Sequence, residues 1–407
     1  MWHEQTKQAR ESGELVVLGV IQEQHAERCR LYAQWKQYDW TIVQDPINRL
    51  DARAVPYFVA IDEAGVVVDS SLRSNEFEAF MSREPAAESK PNAETVKASA
   101  AVTDEQLSAL AEATVGSDEA LAWKELAEQR VLWHRDTDLS QAVEEFQKAQ
   151  RLSNDLWQQA EIAFGLGVAL RMRYDQSADT SSSDFQAATD AWGTALQLDP
   201  NQYIYRRRIQ QYGPRLIKPY PFYDWVEEAR EEIAKRGEEP IALVVPPSGA
   251  EIAQPSRQSI ASSDSAVEPD PQGKINRDLE SWIECEATVV PGSIRAGQAV
   301  RVHLQWTPQE MAHWNNEAEP VQIWIDLPEG WTAAKQLHEL TQPAAAESTE
   351  TRRLEFELNT PVEAKSTELT GYCLYYVCEE QGGTCMYLRK DIKIPIRIEP
   401  DAFRFGR

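Results

Sequence analysis

Residues 371–398, GYCLYYVCEEQGGTCMYLRKDIKIPIRI, read as two β-strands joined by a tight turn at Gln381, Gly382 and Gly383. A Gly there supplies the positive φ that hairpin turns require. With Cys378 opposite Cys385, the two Cα atoms stand ~4.5–5.5 Å apart, inside the span of a disulfide. Side chains alternate between faces along a strand. Cys378 therefore shares a face with Tyr372, Leu374 and Tyr376, and across the turn with Cys385, Tyr387, Arg389 and Asp391. Cys373 falls on the other face, with Tyr375, Val377, Met386, Leu388, Ile392 and Ile394. That second set is apolar and predicts core; the first predicts a wetter, aromatic-flanked face. Two readings of the Cys378/Cys385 pair follow: a staple across a hairpin, or a thiol pair that exchanges electrons with a partner. Arg389 nearby favours a thiolate, while Glu379 and Glu380 oppose one. A zinc site needs about four ligands, and no C-x-x-C or His pair lies near, so no metal is expected and no cofactor is implied.

A chain of 407 residues exceeds one domain. Lys plus Arg is 41 against 66 for Asp plus Glu, a net charge of −25 that opposes nucleic-acid backbones and anionic membranes. The cysteine count is 5, an odd number, so at least one thiol is free or pairs between chains. No apolar run approaches the ~18 residues of a membrane helix. The start shows no basic segment followed by an apolar stretch, so no secretory signal is read in the chain as written.

Residues 1–83 read as an α/β domain. The run 15–21 (LVVLGVI) suits a strand buried on both faces of a parallel sheet. A helix is predicted over 25–38, a short strand over 40–43, and a hairpin within 54–68 turning at Glu63, Ala64 and Gly65. The order LVVLGVI then AVPYFVAIDEAGVV resembles the C-terminal two-thirds of a thioredoxin fold of the redoxin type. The resemblance implies a cis Pro56 and a partner contact at Val55. The family's first strand and C-x-x-C helix start are absent, which implies no dithiol chemistry here and an N-terminally truncated domain. One expectation is that the start is placed too late and the gene product is longer; the other is a degenerate fold kept as an interaction surface. Cys29 lies on the following helix, matches neither family cysteine, and reads as an ordinary helix thiol.

Residues 84–103 read as a linker rich in Ala, Glu, Lys and Pro. Residues 104–236 read as an all-α helical domain. Trp123, Leu126, Ala127, Ala142, Phe146 and Ala149 recur as Ala163, Leu166, Gly167, Ala188, Trp192 and Ala195, ending in ALQLDPN. Small residues suit close helix crossings, and the pattern resembles tetratricopeptide repeats. Two repeats are fewer than the usual minimum of about three, so flanking helices are expected as caps. Arg206, Arg207, Tyr223 and Trp225 are basic and aromatic, unlike the acidic remainder. They read either as packing of the capping helices or as a docking face for a peptide with an acidic end. Residues 237–274 read as a second, disordered linker.

Residues 275–407 show alternating runs at 283–290, 298–307, 320–327, 352–359, 368–379 and 384–398, with no helix between them, which predicts an antiparallel β-sandwich. Residues 341–351 read as a long loop. His303 falls on the polar side of its strand, and His313 and His338 in loops. VVPGSIRAGQAVRVHLQW, IDLPEGW and YYVCEEQGGTCMYLRKDIKIPI resemble the amino-terminal, immunoglobulin-like domain of the DsbD-type disulfide reductases. That resemblance implies that Cys378 and Cys385 accept electrons from a thioredoxin-like donor and reduce other proteins. It also implies a periplasmic or otherwise extracytoplasmic location; with no signal read, a cytoplasmic one is the alternative. The expected function is thiol–disulfide exchange, with the helical repeats docking protein partners. The rival is a non-enzymatic scaffold with a structural hairpin disulfide.

Overall fold

The computed structural model describes residues 2–84, 102–137, 139–176, 183–256, 266–379 and 384–405. The chain combines helices with small and large β-sheets in two compact units, one of Met1–Ser153, Asn201–Ile204 and Val226–Val244, the other of Asn154–Pro200, Tyr205–Trp225 and Val245–Arg407. The division falls inside the stretch 104–236 that the sequence reading treats as one helical domain.

In the first unit, helix α1 (Trp2–Glu11) is fixed at its start by Trp2, which stacks on Phe58 at 4.2 Å and meets Phe77 edge-on. Strand β1 (Leu18–Ile21) pairs in parallel with β2 (Thr41–Gln44), and helix α2 (Ala26–Lys36) makes the crossover that parallel pairing requires. Burial of β1 on both faces is not observed. Leu18 is 58% exposed and Val20 43%. Among the described residues β2 is the one strand paired to β1, and Trp40 and Ile42 lie beside Gly19. Strands β3 (Ala60–Ile61) and β4 (Val67–Asp69) form the expected hairpin, followed by the short helix α3 (Phe77–Met81).

Helix α4 (Asp104–Thr114) opens on a capping box between Thr103 and Gln106. Helices α5 (Ala120–Trp133) and α6 (Leu139–Leu152) bury Ala127, Val131, Ala142, Phe146 and Ala149. A buried ion pair, Arg130 Nε to Glu145 Oε1 at 2.8 Å, joins them. The helix Val226–Lys235 lies against α2, where Trp35 donates to Glu232 and Arg236 Nη2 donates to the Gln34 carbonyl at 2.9 Å.

In the second unit, α7 (Leu156–Gln176) and α8 (Asp184–Leu198) cross closely. A Cβ on Gly167 would run into the Trp192 indole and lie 3.0 Å from the Ala188 carbonyl, so only a hydrogen fits there. Phe164 of α7 stacks on Tyr205 of α9 (Tyr203–Tyr212) at 4.5 Å. A short helix, α10 (Gly249–Ile252), with Ala250 and Glu251 buried, lies within 237–274, the stretch read as a disordered linker. Residues 257–265 of that stretch lie outside the described residues, as do 85–101 of the first linker.

The rest of this unit is two antiparallel sheets. Their strands, in chain order, are β5 (Ile283–Val290), β6 (Ala299–Pro308), β7 (Ala312–Asn315), β8 (Gln322–Ile325), β9 (Thr332–Ala333), β10 (Leu337–Glu339), β11 (Glu347–Ser348), β12 (Arg352–Asn359), β13 (Thr367–Glu379) and β14 (Cys385–Ile396). One sheet runs β5-β6-β12-β9. The other runs β10-β8-β13-β7-β11, with β14 along the second edge of β13. Val302, Leu304, Trp306, Trp314, Ile323, Cys373, Tyr375, Ile392 and Ile394 come from both sheets into one core.

The outer face of β5, β6 and β12 is polar yet covered, because α7, α8 and α9 sit on it. Tyr174 donates to Gln305 Oε1 at 2.9 Å, His303 Nε2 donates to the Tyr212 carbonyl at 2.9 Å, and the Gln186 amide meets the Val289 backbone. His303 is thus on the polar side, as read, but buried. Two loop readings are corrected: His313 lies in β7 and His338 in β10. The loop read over 341–351 also contributes the short strand β11.

Candidate functional site

Strand β13 is the centre of the site. It pairs with β14 from Thr367 to Cys378 along one edge, while the other edge is shared by β8 at Gly371–Leu374 and β7 at Val377–Glu379. The register opposes Cys378 to Cys385, and the two form a disulfide with Cα atoms 4.0 Å apart. The alternation read from sequence holds. Cys373, Tyr375, Val377, Leu388, Ile392 and Ile394 face the core, and Cys378 does not. The turn at Gln381, Gly382 and Gly383, with Glu380, lies outside the described residues.

The disulfide is asymmetric. Cys385 is exposed, whereas Cys378 is 3% exposed. On the far side of Cys378 the register places His313 of β7. Ala312 and Trp314 turn into the core, so His313 stands on the same face as the disulfide. His313, Cys378 and Cys385 form one row across three strands. His313 Nε2 is buried and lies 3.5 Å from Glu347 Oε1, too long for a good hydrogen bond. Further from the turn on the same face, Tyr376 stacks on Tyr387 at 4.4 Å. Tyr376 also donates to Glu319, which holds that phenol above its usual range.

The face is less wet than its composition suggests. Tyr372 and Leu374 are buried under Ala266 and Ile275. The Tyr372 hydroxyl accepts from the Asp270 amide at 2.9 Å, and Arg389 exchanges backbone bonds with Asn276 and Asp278. Residues 266–278 therefore lie along β13 and β14. Arg389 does not serve the thiols. It pairs with Asp270 at 3.0 Å and Asp391 at 2.8 Å, with its guanidinium 3.7 Å from the Tyr372 ring centre. It stands opposite Leu374, four residues along β14 from Cys385, about 13 Å at a strand's rise.

The remaining cysteines are free thiols and unactivated. Burial pushes Cys29 up to about 11, with Glu23 adding to it. Burial pushes Cys285 up to about 12 and Cys373 well above the ordinary thiol range. Among the described residues no group of three or more His, Cys, Asp or Glu is placed to hold a metal ion.

The other predicted positions do not join this row. The Val55–Pro56 peptide is cis and both residues are exposed. Arg207 is buried between Tyr220 at 4.0 Å and Phe222 at 4.1 Å, and Arg206 stacks over Phe403 at 4.8 Å. Trp225 donates to the Phe222 carbonyl at 3.1 Å and neighbours Tyr223. These contacts are intramolecular packing. His313 is the residue that sequence reasoning missed; its signal, an Ala-His-Trp-Asn alternation over four residues, is short.

Among the described residues no helix is long and apolar enough to cross a membrane. No protein family model matches the chain, and no curated protein matches it. Three similar solved structures are a protein that catalyses macrocyclization in alchivemycin A biosynthesis, the sporulation control protein Spo0M from Bacillus subtilis, and the bacterial hydrophobin BslA. The first is 11% identical with TM-score 0.18, over 31% of this chain and 96% of that one. Spo0M is 11% identical with TM-score 0.18, over 29% of this chain and 50% of its own. BslA is 14% identical with TM-score 0.16, over 29% and 96%. Likeness at this level carries no argument about fold or function, and no family is assigned to the chain.

Proposed function

We propose that the protein is an extracytoplasmic thiol–disulfide exchange protein whose working pair is Cys378 and Cys385. The observation that carries this reading is the asymmetric cross-strand disulfide, one cysteine exposed and the other buried, on the face opposite the core. Exchange proceeds by thiolate attack on a disulfide sulfur through a mixed disulfide, so an exposed sulfur backed by a sheltered leaving group suits it. Disulfides persist in oxidising compartments, which supports the location.

The finer fold assignments belong to the same proposal. The β-sandwich reading is supported by two antiparallel sheets sharing one core. The thioredoxin-like reading of 1–83 is supported by the parallel β1–β2 pair around α2, followed by the β3–β4 hairpin. The tetratricopeptide-like reading is supported by the α5–α6 and α7–α8 pairs, with Ala127 and Gly167 at matching positions. In this reading the helical pairs dock a protein partner, and a thioredoxin-like dithiol donates electrons to the disulfide.

The test adds the oxidised full chain to thioredoxin, thioredoxin reductase and NADPH. NADPH should be consumed in proportion to the chain, and the Cys378→Ala/Cys385→Ala variant should consume none. Consumption no greater than that of the double variant returns the disulfide to the structural reading and the chain to a scaffold.

A further inference from the structure

We propose that His313 is the proton donor and acceptor for the Cys378 sulfur, so that the bond opens by attack at Cys385 with Cys378 as the leaving group. The inference rests on the reading of this pair as redox-active.

Geometry carries it. Strand β13 is flanked by β7 on one side and β14 on the other, so Cys378 has His313 and Cys385 as its two cross-strand neighbours. Directly opposed side chains share a face, with Cβ atoms about 5 Å apart. Their shared face follows from the other residues: Trp314 and Val377, one position along, are both core. An attacking thiolate must reach one of the two cysteines, and Cys385 is the exposed residue. The electron pair of the broken bond then resides on Cys378, which is buried. A thiolate forming there loses hydration and is disfavoured unless a proton or positive charge reaches it. Among the described residues, the charged groups placed on this face near the row are carboxylates: Glu347 on β11 beside His313, and Glu319 bound to Tyr376. None neutralises a thiolate. Tyr376 and Tyr387 are raised in pKa, the first chiefly by its bond to Glu319 and the second by burial, so neither is a ready acid. Within the row, His313 carries the one imidazole, the side chain most used as a general acid and base.

The step balances as follows. A partner thiolate attacks Cys385 Sγ and forms a mixed disulfide. The Cys378–Cys385 bond breaks, and Cys378 Sγ takes the pair together with a proton from the His313 imidazolium. The partner's second thiolate attacks the partner sulfur, and Cys385 leaves and is protonated from solvent. The partner dithiol is oxidised to a disulfide, and two electrons and two protons have passed to Cys378 and Cys385. In reverse, neutral His313 takes the Cys378 proton and releases the thiolate that closes the bond.

The test reduces the oxidised full chain with dithiothreitol across mildly acidic to mildly alkaline pH. Rates are corrected for the thiolate fraction of the reagent, and wild type is compared with His313→Gln and His313→Ala. The corrected wild-type rate constant should rise as pH falls through the imidazole range. In His313→Gln it should be flat, and about 100-fold lower at the acidic end, the low end of general-acid effects. Added imidazole should restore rate to His313→Ala. A variant that merely loosened the fold would expose the bond and react faster, the opposite direction. If wild type opens readily and both variants match or exceed it at every pH, His313 has no such role and the redox reading stands without it. If dithiothreitol fails to open the wild-type bond, the redox reading falls, and this inference with it.

Discussion

Gly167 is a residue with little room for change. Alanine has the higher helix propensity by about 1 kcal/mol, but its Cβ would meet the Trp192 indole and the Ala188 carbonyl. Overpacking of this kind costs about 1–3 kcal/mol, so the clash outweighs the propensity. A Cβ added at Gly193 in α8 would meet nothing within 4 Å, so Gly193→Ala should be neutral or stabilising. Denaturant unfolding of the two variants should show opposite signs; equal effects would contradict the close crossing. Thiol reactivity gives a second prediction. After reduction, alkylation followed by peptide mass should label Cys385 first, with Cys29, Cys285 and Cys373 slower, because burial raises each of those three. Labelling of Cys373 ahead of Cys385 would contradict the placement. The cysteine row was legible because strand alternation has period two and both partners lie in one hairpin. His313 was not, because β7 is four residues long and its partner strand β13 lies far along the chain, beyond the five strands β8 to β12.

The element that decides a pH response is β5. Its odd positions, Ile283, Cys285, Ala287 and Val289, join the core, and its even positions face helices. Both carboxylate oxygens of Glu286 are buried with no hydrogen-bond partner among the described residues. Burial, then Asp184 of α8, push its pKa up to about 8, while Arg171 of α7 opposes them. Tyr174 of α7 also feels this charge, and the residue opposite on β6 is Gln305, which already accepts from Tyr174 and Arg353. The folded-state value lies above that of an exposed Glu. Its stabilising contribution is therefore complete below about pH 4.5 and is lost as pH rises towards 8. Glu286→Gln should match wild type near pH 5 and become more stable than it near pH 8, read by thermal unfolding. A gap that is constant with pH, or that widens on acidification, would contradict this. The long strands were legible from alternation to within two residues, including 283–290 and 352–359 as read. The helices over the outer sheet face were not, since a polar strand face looks alike under water and under a polar helix contact. The run 15–21 misled for a related reason: apolar composition shows what a strand can bury, and the covering layer is a separate matter.

At the scale of the whole molecule, the proposed function rests on one bond. The hairpin disulfide closes a loop of 7 residues by sequence separation, so it contributes about 2–3 kcal/mol by chain entropy. The surrounding sheet, with a core drawn from both sheets, is built without needing it. An equilibrium redox titration of the full chain against a dithiol/disulfide buffer, read by alkylation and intact mass, therefore tests the central claim most directly. Reversible opening is expected, with a midpoint above roughly −300 mV, the region of exchangeable rather than structural disulfides. A bond that stays closed until well below that value, or a double Cys→Ser variant that no longer folds, would mark Cys378–Cys385 as a staple.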